Sequence, residues 1–145
     1  MLKTIYILSF FLVLSCNSAQ KPIAKRLLKT TVEYEVLTRA MYYKCMVINN
    51  EFLEKTARDG NFSKRKLHVL EAAELQLALE ELKVEEIGWL DVPSNDRFSD
   101  KGMHAVFAIS QSGNRYQTQA FDHHNPNKKI KPIINVLFKF TNHKL

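Results

Sequence analysis

From residue 30 onward the chain alternates. Val32, Tyr34 and Val36 fall on one side and Glu33 and Glu35 on the other, the two-residue period of a half-buried strand over Thr30–Arg39. Tyr42–Ile48 is aromatic and β-branched enough for a second strand, and Asn49-Asn50 predicts a tight hairpin turn, because Asn tolerates positive φ. A third strand follows near Glu51–Ala57, closed by Arg58-Asp59-Gly60-Asn61. From about Leu70 the period lengthens. Leu75, Ala78/Leu79 and Leu82 recur at three and four residues among Glu71, Glu74, Glu80 and Glu81, which predicts an amphipathic helix. Ile87-Gly88-Trp89-Leu90 should end that helix and place Trp89 on the core, and Asp91–Gly102 is a polar loop of turn formers.

Met103–Ser110 and Asn114–Asp122 read as a second hairpin around Ser112-Gly113. An uninterrupted register sets Ile109 opposite Tyr116, Phe107 opposite Thr118, Ala105 opposite Ala120 and Met103 opposite Asp122. Ala120 then belongs to the core face, and Phe121 to the opposite face with His104. Ile130, Ile133/Ile134 and Leu137/Phe138 return at helical spacing, with Pro132 tolerated in a first turn. Strands, helix, hairpin, helix is an α+β order: an antiparallel sheet with two helices on one face.

The first fifteen residues break this pattern. Eleven of them are hydrophobic and Lys3 is their only charge. The apolar run Ile5–Leu14 is too short for a stable membrane span, and it follows a basic start, as in a secretory signal. Val13-Leu14-Ser15-Cys16 resembles a bacterial lipobox, which implies cleavage after residue 15 and acylation of Cys16. The expected organisation is a signal peptide over 1–15, a lipidated Cys16 with a tether to residue 29, and one domain over 30–145. Multiple acyl chains anchor a protein stably without help from its fold. The expected address is the bacterial cell envelope, on the periplasmic face of the outer membrane.

The whole chain has 145 residues, 21 of them Lys or Arg and 15 Asp or Glu. The basic tether residues Lys21, Lys25, Arg26 and Lys29 suit anionic headgroups or plain solvation equally. The basic runs Lys64-Arg65-Lys66 and Lys128-Lys129 with Lys131 lack the interleaved aromatics of a nucleic-acid surface, so a solvated or membrane-facing patch is expected instead.

No HExxH, GxSxG, Walker A, GxGxxG or CxxC motif is present, and no cofactor is called for. The most suggestive cluster is Asp122-His123-His124. In the uninterrupted register His104 and His123 share a sheet face, so His104, His123 and Asp122 are weak candidates for a Zn²⁺ site. The same residues also suit a solvated turn in which Asp122 accepts loop N–H groups. Cys45, the one thiol left once Cys16 is acylated, alternates with Tyr43 and Val47 as a buried hydrophobe does. Glu80/Glu81 and Glu85/Glu86 belong to a wet helix face; neighbours about 100° apart make a poor acid–base pair.

Trp89-Leu90-Asp91-Val92-Pro93-Ser94, Tyr116–His123 and the closing Ile-rich helix resemble small bacterial envelope proteins. Over roughly residues 30–141 the order of elements is similar to that of the emfourins, protein inhibitors of thermolysin-like metalloproteases. Where emfourins carry glycines after the first strand this chain has Thr38-Arg39-Ala40-Met41, so no inhibitory loop transfers residue by residue. The resemblance implies a non-catalytic binding module that engages an envelope protein. The polar sheet face or the Asp91–Gly102 loop would be its contact surface. A metal-binding protein and a passive envelope-assembly element are the alternatives.

Overall fold

A computed structural model describes residues 29–99, 102–141 and 143; the apolar leader, Cys16 and the tether as far as residue 28 lie outside the described residues. Strands β1 (Thr30–Leu37), β2 (Tyr42–Ile48), β3 (Glu51–Lys55) and β4 (Ser63–Lys66) precede helix α1 (Val69–Glu80). Two 3₁₀ helices (Val84–Trp89 and Asp96–Phe98) lead to β5 (His104–Gln111), β6 (Asn114–Gln117), β7 (Phe121–Asp122) and helix α2 (Lys131–Phe140). The sheet runs β4-β3-β2-β1-β5-β6, with β7 also on β5, and all its pairs are antiparallel. The protein is therefore α+β, a seven-stranded antiparallel sheet with two helices.

Period-two patterning sets the faces. Val32, Tyr34, Val36, Tyr43, Cys45, Val47, Phe52, Phe107 and Ile109 point into the core, where they meet Leu75, Leu79, Ile133 and Leu137 of the two helices. The other face stays open to water and is held by charge. Lys44 bridges Glu33 at 3.1 Å and Glu35 at 3.4 Å, and Arg115 also pairs with Glu33. Burial pushes the Glu33 carboxyl up, but hydrogen bonds from Arg115 and Lys44 outweigh it and hold the group below its usual range. Both hairpin turns form as the sequence predicts, with positive φ at Asn49 and Asn50 and at Ser112 and Gly113.

Four expectations change. Lys64-Arg65-Lys66 is exposed, as a solvated patch would be, but it forms the edge strand β4 that the sequence did not mark, and such lysines discourage strand addition from another chain. Its Arg65 forks onto both Glu71 oxygens at 2.8 Å and reaches the Phe140 carbonyl at 3.0 Å, tying the edge to both helices. Second, α1 stops at Glu80, and Ile87 enters the core from a separate 3₁₀ helix. Third, Trp89 is 85% exposed: Ile87 is fully buried and takes the place expected of it. Nor is α1 cleanly amphipathic, since Val69, Leu70 and Leu77 face solvent.

The fourth change is a bulge. Ile109↔Tyr116 and Ala108↔Gln117 pair in the expected register, but further along Ala105 faces Phe121 and His104 faces Asp122. One extra residue has entered between Thr118 and Phe121. At the slip the Phe107 carbonyl accepts the Thr118 N–H at 2.9 Å, and the Phe107 N–H donates to the Thr118 side-chain oxygen at 3.1 Å. The hydroxyl thus supplies an acceptor that the broken ladder no longer provides. Because side chains alternate, one residue of slip moves Phe121 into the core and turns Ala120 out to solvent.

Phe107→Ala, at a fully buried position in the centre of the sheet, is expected to cost ~3–5 kcal/mol. Leu70→Ala, at a position 72% exposed, should cost less than ~0.5 kcal/mol. Urea unfolding of both variants checks this, and equal losses would contradict the assignment of inner and outer positions.

Candidate functional site

Three connections meet at one end of the sheet: the β1–β2 turn, the β3–β4 turn and the loop before β5. Between them lies an open groove of about 770 Å³. Each wall is built locally. Thr38 Oγ1 accepts the N–H groups of Ala40 at 3.1 Å and Met41 at 2.9 Å, and the Thr38 N–H closes the turn on the Met41 carbonyl at 2.8 Å. In the second wall Lys55 Nζ donates to the Arg58 carbonyl at 2.6 Å and approaches the Tyr42 ring at 5.3 Å.

The third wall hangs from Asp122. Its carboxylate accepts the Ser94 hydroxyl, the Asp96 N–H at 3.0 Å and the Arg97 N–H. Burial raises the Asp122 pKa, but the Ser94 hydroxyl, the two amides and the Arg97 charge together outweigh it, so the group stays ionised below the usual carboxylate range. Arg97 folds back to donate to the Ser94 carbonyl at 2.6 Å and stacks over Phe98 at 4.3 Å. Phe98, 71% exposed, meets the His104 ring edge-on at 6.2 Å. The loop crosses itself so closely that a Cβ on Gly102 would fall 2.4 Å from the Asp96 carbonyl oxygen, a position only glycine tolerates.

The groove therefore presents Arg39, Arg58 and Arg97 with the rings of Tyr42, Phe98 and His104, and no described residue lining it is acidic. Guanidinium groups beside aromatic faces suit a carboxylate or other anion. On the open sheet face, Glu33 and Glu35 are taken up by Lys44 and Arg115.

The residues singled out from sequence are separated by the bulge. His104 lines the groove. His123 goes to the core side, where its Nδ1 lies 2.8 Å from the Tyr34 hydroxyl, among Phe138 and His124. Asp122 lies between them, committed to the loop as an acceptor of N–H groups, though from residues 94–97 rather than from its own turn. Among the described residues no group of three or more His, Cys, Asp or Glu side chains is placed to hold a metal ion. Burial lowers the His123 pKa to about 4, with the neighbouring His124 adding to it, and burial keeps Tyr34 protonated, so the tyrosine donates and the imidazole accepts. Cys45 is buried, and burial pushes its thiol up to about 12, unlike a nucleophile. Glu86 pairs with Lys83 and Lys129, whereas Glu80, Glu81 and Glu85 are exposed.

Sequence reasoning singled out the Asp91–Gly102 loop but missed the roles of Arg39, Tyr42 and Arg58. Their signal was topological: in an up-and-down sheet, alternate connections gather at one end. Comparison with models of protein families, with characterised proteins and with solved structures finds no match to this chain.

Acid should act on these two groups in sequence. His123 has a depressed pKa in the fold, so the unfolded chain binds its proton first, and stability falls as pH drops from about 6.5 towards 4, on the order of 1 kcal/mol after allowing for screening. Asp122 stabilises the fold above the unfolded carboxylate pKa, and that contribution is lost at still lower pH, as it protonates. Imidazole proton shifts check the first step: His123 should titrate near 4, and titration near 6.5 would contradict its burial against Tyr34.

Proposed function

We propose that this chain is a lipid-anchored envelope protein that binds a partner protein without catalysing a reaction, and that the groove at the sheet tip is its contact surface. One observation carries this reading: Arg58 and the rings of Tyr42 and the exposed Phe98 line a concavity whose described lining includes no carboxylate. The partner it suits is an acidic, extended segment, with a carboxylate for Arg58 and an apolar side chain over Phe98. Partner recognition by Arg and aromatic anchors is a common source of binding energy. The order of elements shared with the emfourins supports a partner among secreted or envelope proteins, a thermolysin-like metalloprotease being one form of it.

The anchor follows from Cys16 and the lipobox-like residues before it. The leader is removed in this reading, and a basic segment ending at Lys29 leads to the domain.

Crosslinking in intact cells tests the binding surface. The wild-type chain should capture a specific partner, and Arg58→Glu should reduce that capture at least ~10-fold, a loss of about 1.4 kcal/mol. Lys64→Glu on the exposed edge strand should leave it unchanged. No partner above background, or equal loss in both variants, would refute the groove. Cys16→Ser, tested separately by lipid labelling, should abolish acylation; normal processing and membrane retention of that variant would refute the anchor.

A further inference from the structure

Trp89 is the only tryptophan of the chain and the most exposed large hydrophobic residue among those described. Its exposure is built in. The 3₁₀ helix Val84–Trp89 is pinned by the fully buried Ile87, and Gly88 runs alongside β6, where a Cβ would make ordinary contact with the Gln117 carbonyl oxygen. With both preceding residues held against the sheet, the indole projects outward.

A lysine loop is locked beside it. Glu86 pairs with Lys83 at 3.1 Å and with Lys129 at 3.5 Å. Asn127 Nδ2 donates to the Asp91 carbonyl at 3.0 Å, and its Oδ1 accepts the Lys129 N–H at 3.0 Å. Lys128, Lys129 and Lys131 are thereby presented on the flank that carries Trp89, and all three are exposed. Three acids, Glu85, Glu86 and Asp91, share this flank, so its positive excess is small. Thr30 lines a small cavity with Gln76, Leu79 and Val84, so Lys29 meets the fold beside the start of this 3₁₀ helix, preceded in sequence by Lys21, Lys25 and Arg26.

We propose that this flank is a membrane-docking surface, with Trp89 in the interfacial layer and the lysines on anionic phospholipid headgroups. Indole prefers that layer because its ring is apolar and its N–H can reach polar headgroups. Basic side chains near the same surface add an attraction that screens with salt. The orientation that follows lays the domain on its β6 flank and leaves the groove clear of the lipid. This inference rests in part on the lipid anchor, which holds the flank near the bilayer.

The single indole makes the test direct. The full chain, purified in detergent from bacterial membranes, is reconstituted into phosphatidylcholine vesicles with and without phosphatidylglycerol. On the anionic vesicles Trp89 emission should shift to the blue, be quenched by brominated acyl chains and be protected from acrylamide in the water. Lys128→Glu/Lys131→Glu should reverse all three without changing the thermal unfolding midpoint. Vesicle flotation reports the anchor independently: a chain that floats while Trp89 stays open to acrylamide on both vesicles keeps the anchor and loses the docking surface. A chain that does not float overturns both. Protection of Trp89 that appears only when envelope protein is added, or that is indifferent to the lysines, also overturns the proposal.

Discussion

The hydrogen bond from the Phe107 N–H to the Thr118 hydroxyl is the point on which the groove end of this molecule turns. A regular antiparallel ladder would carry residues 119–122 past β5 in step, with Asp122 opposite Met103. The extra residue after Thr118 breaks that step, and the hydroxyl satisfies a buried amide whose loss would cost about 1–3 kcal/mol. Three side chains then change roles together. Phe121 fills the core, the Asp122 carboxylate is aimed at the loop before β5, and His123 packs on Tyr34. The loop that Asp122 gathers is the wall that brings Arg97 and Phe98 to the groove.

The two proposed surfaces lie at different ends of the domain. Thr30, where β1 starts, lies beside the 3₁₀ helix that leads to Trp89, whereas Leu37, where β1 ends, lines the groove. Seven strand steps separate them, about 23 Å at strand rise. A protein tied to a surface near Thr30 presents its basic groove away from the point of attachment. The rigid sheet between the two, with its ion-paired open face and helix-covered inner face, fixes that separation.

Much of the fold was legible because its signals are local. Alternation in Val32-Glu33-Tyr34-Glu35-Val36 specifies β1, positive-φ residues specify the turns at Asn49-Asn50 and Ser112-Gly113, and both helices show their apolar spacing. The failures are tertiary. Trp89 and Ile87 compete for one core position, and the winner depends on where α1 stops; with α1 ending at Glu80 it is the isoleucine. Ser63–Lys66 has no apolar alternation, so nothing marks it as a strand except an edge waiting beside β3. The bulge was hidden because Thr118 is as ordinary a strand residue as it is a ladder substitute, and a single slip was enough to separate His104 from His123. The groove was the least legible feature, since its arginines come from three turns that only the sheet order brings together.

Everything proposed for the groove depends on the register beyond Thr118, and cross-strand nuclear Overhauser contacts read it directly. In isotope-labelled protein, backbone protons of Ala105 should be close to those of Phe121, and those of His104 to those of Asp122. Contacts of Ala105 with Ala120 and of Met103 with Asp122 would instead show an unbroken ladder. That result would return Phe121 to the outer face, release the loop from Asp122 and contradict the construction of the site.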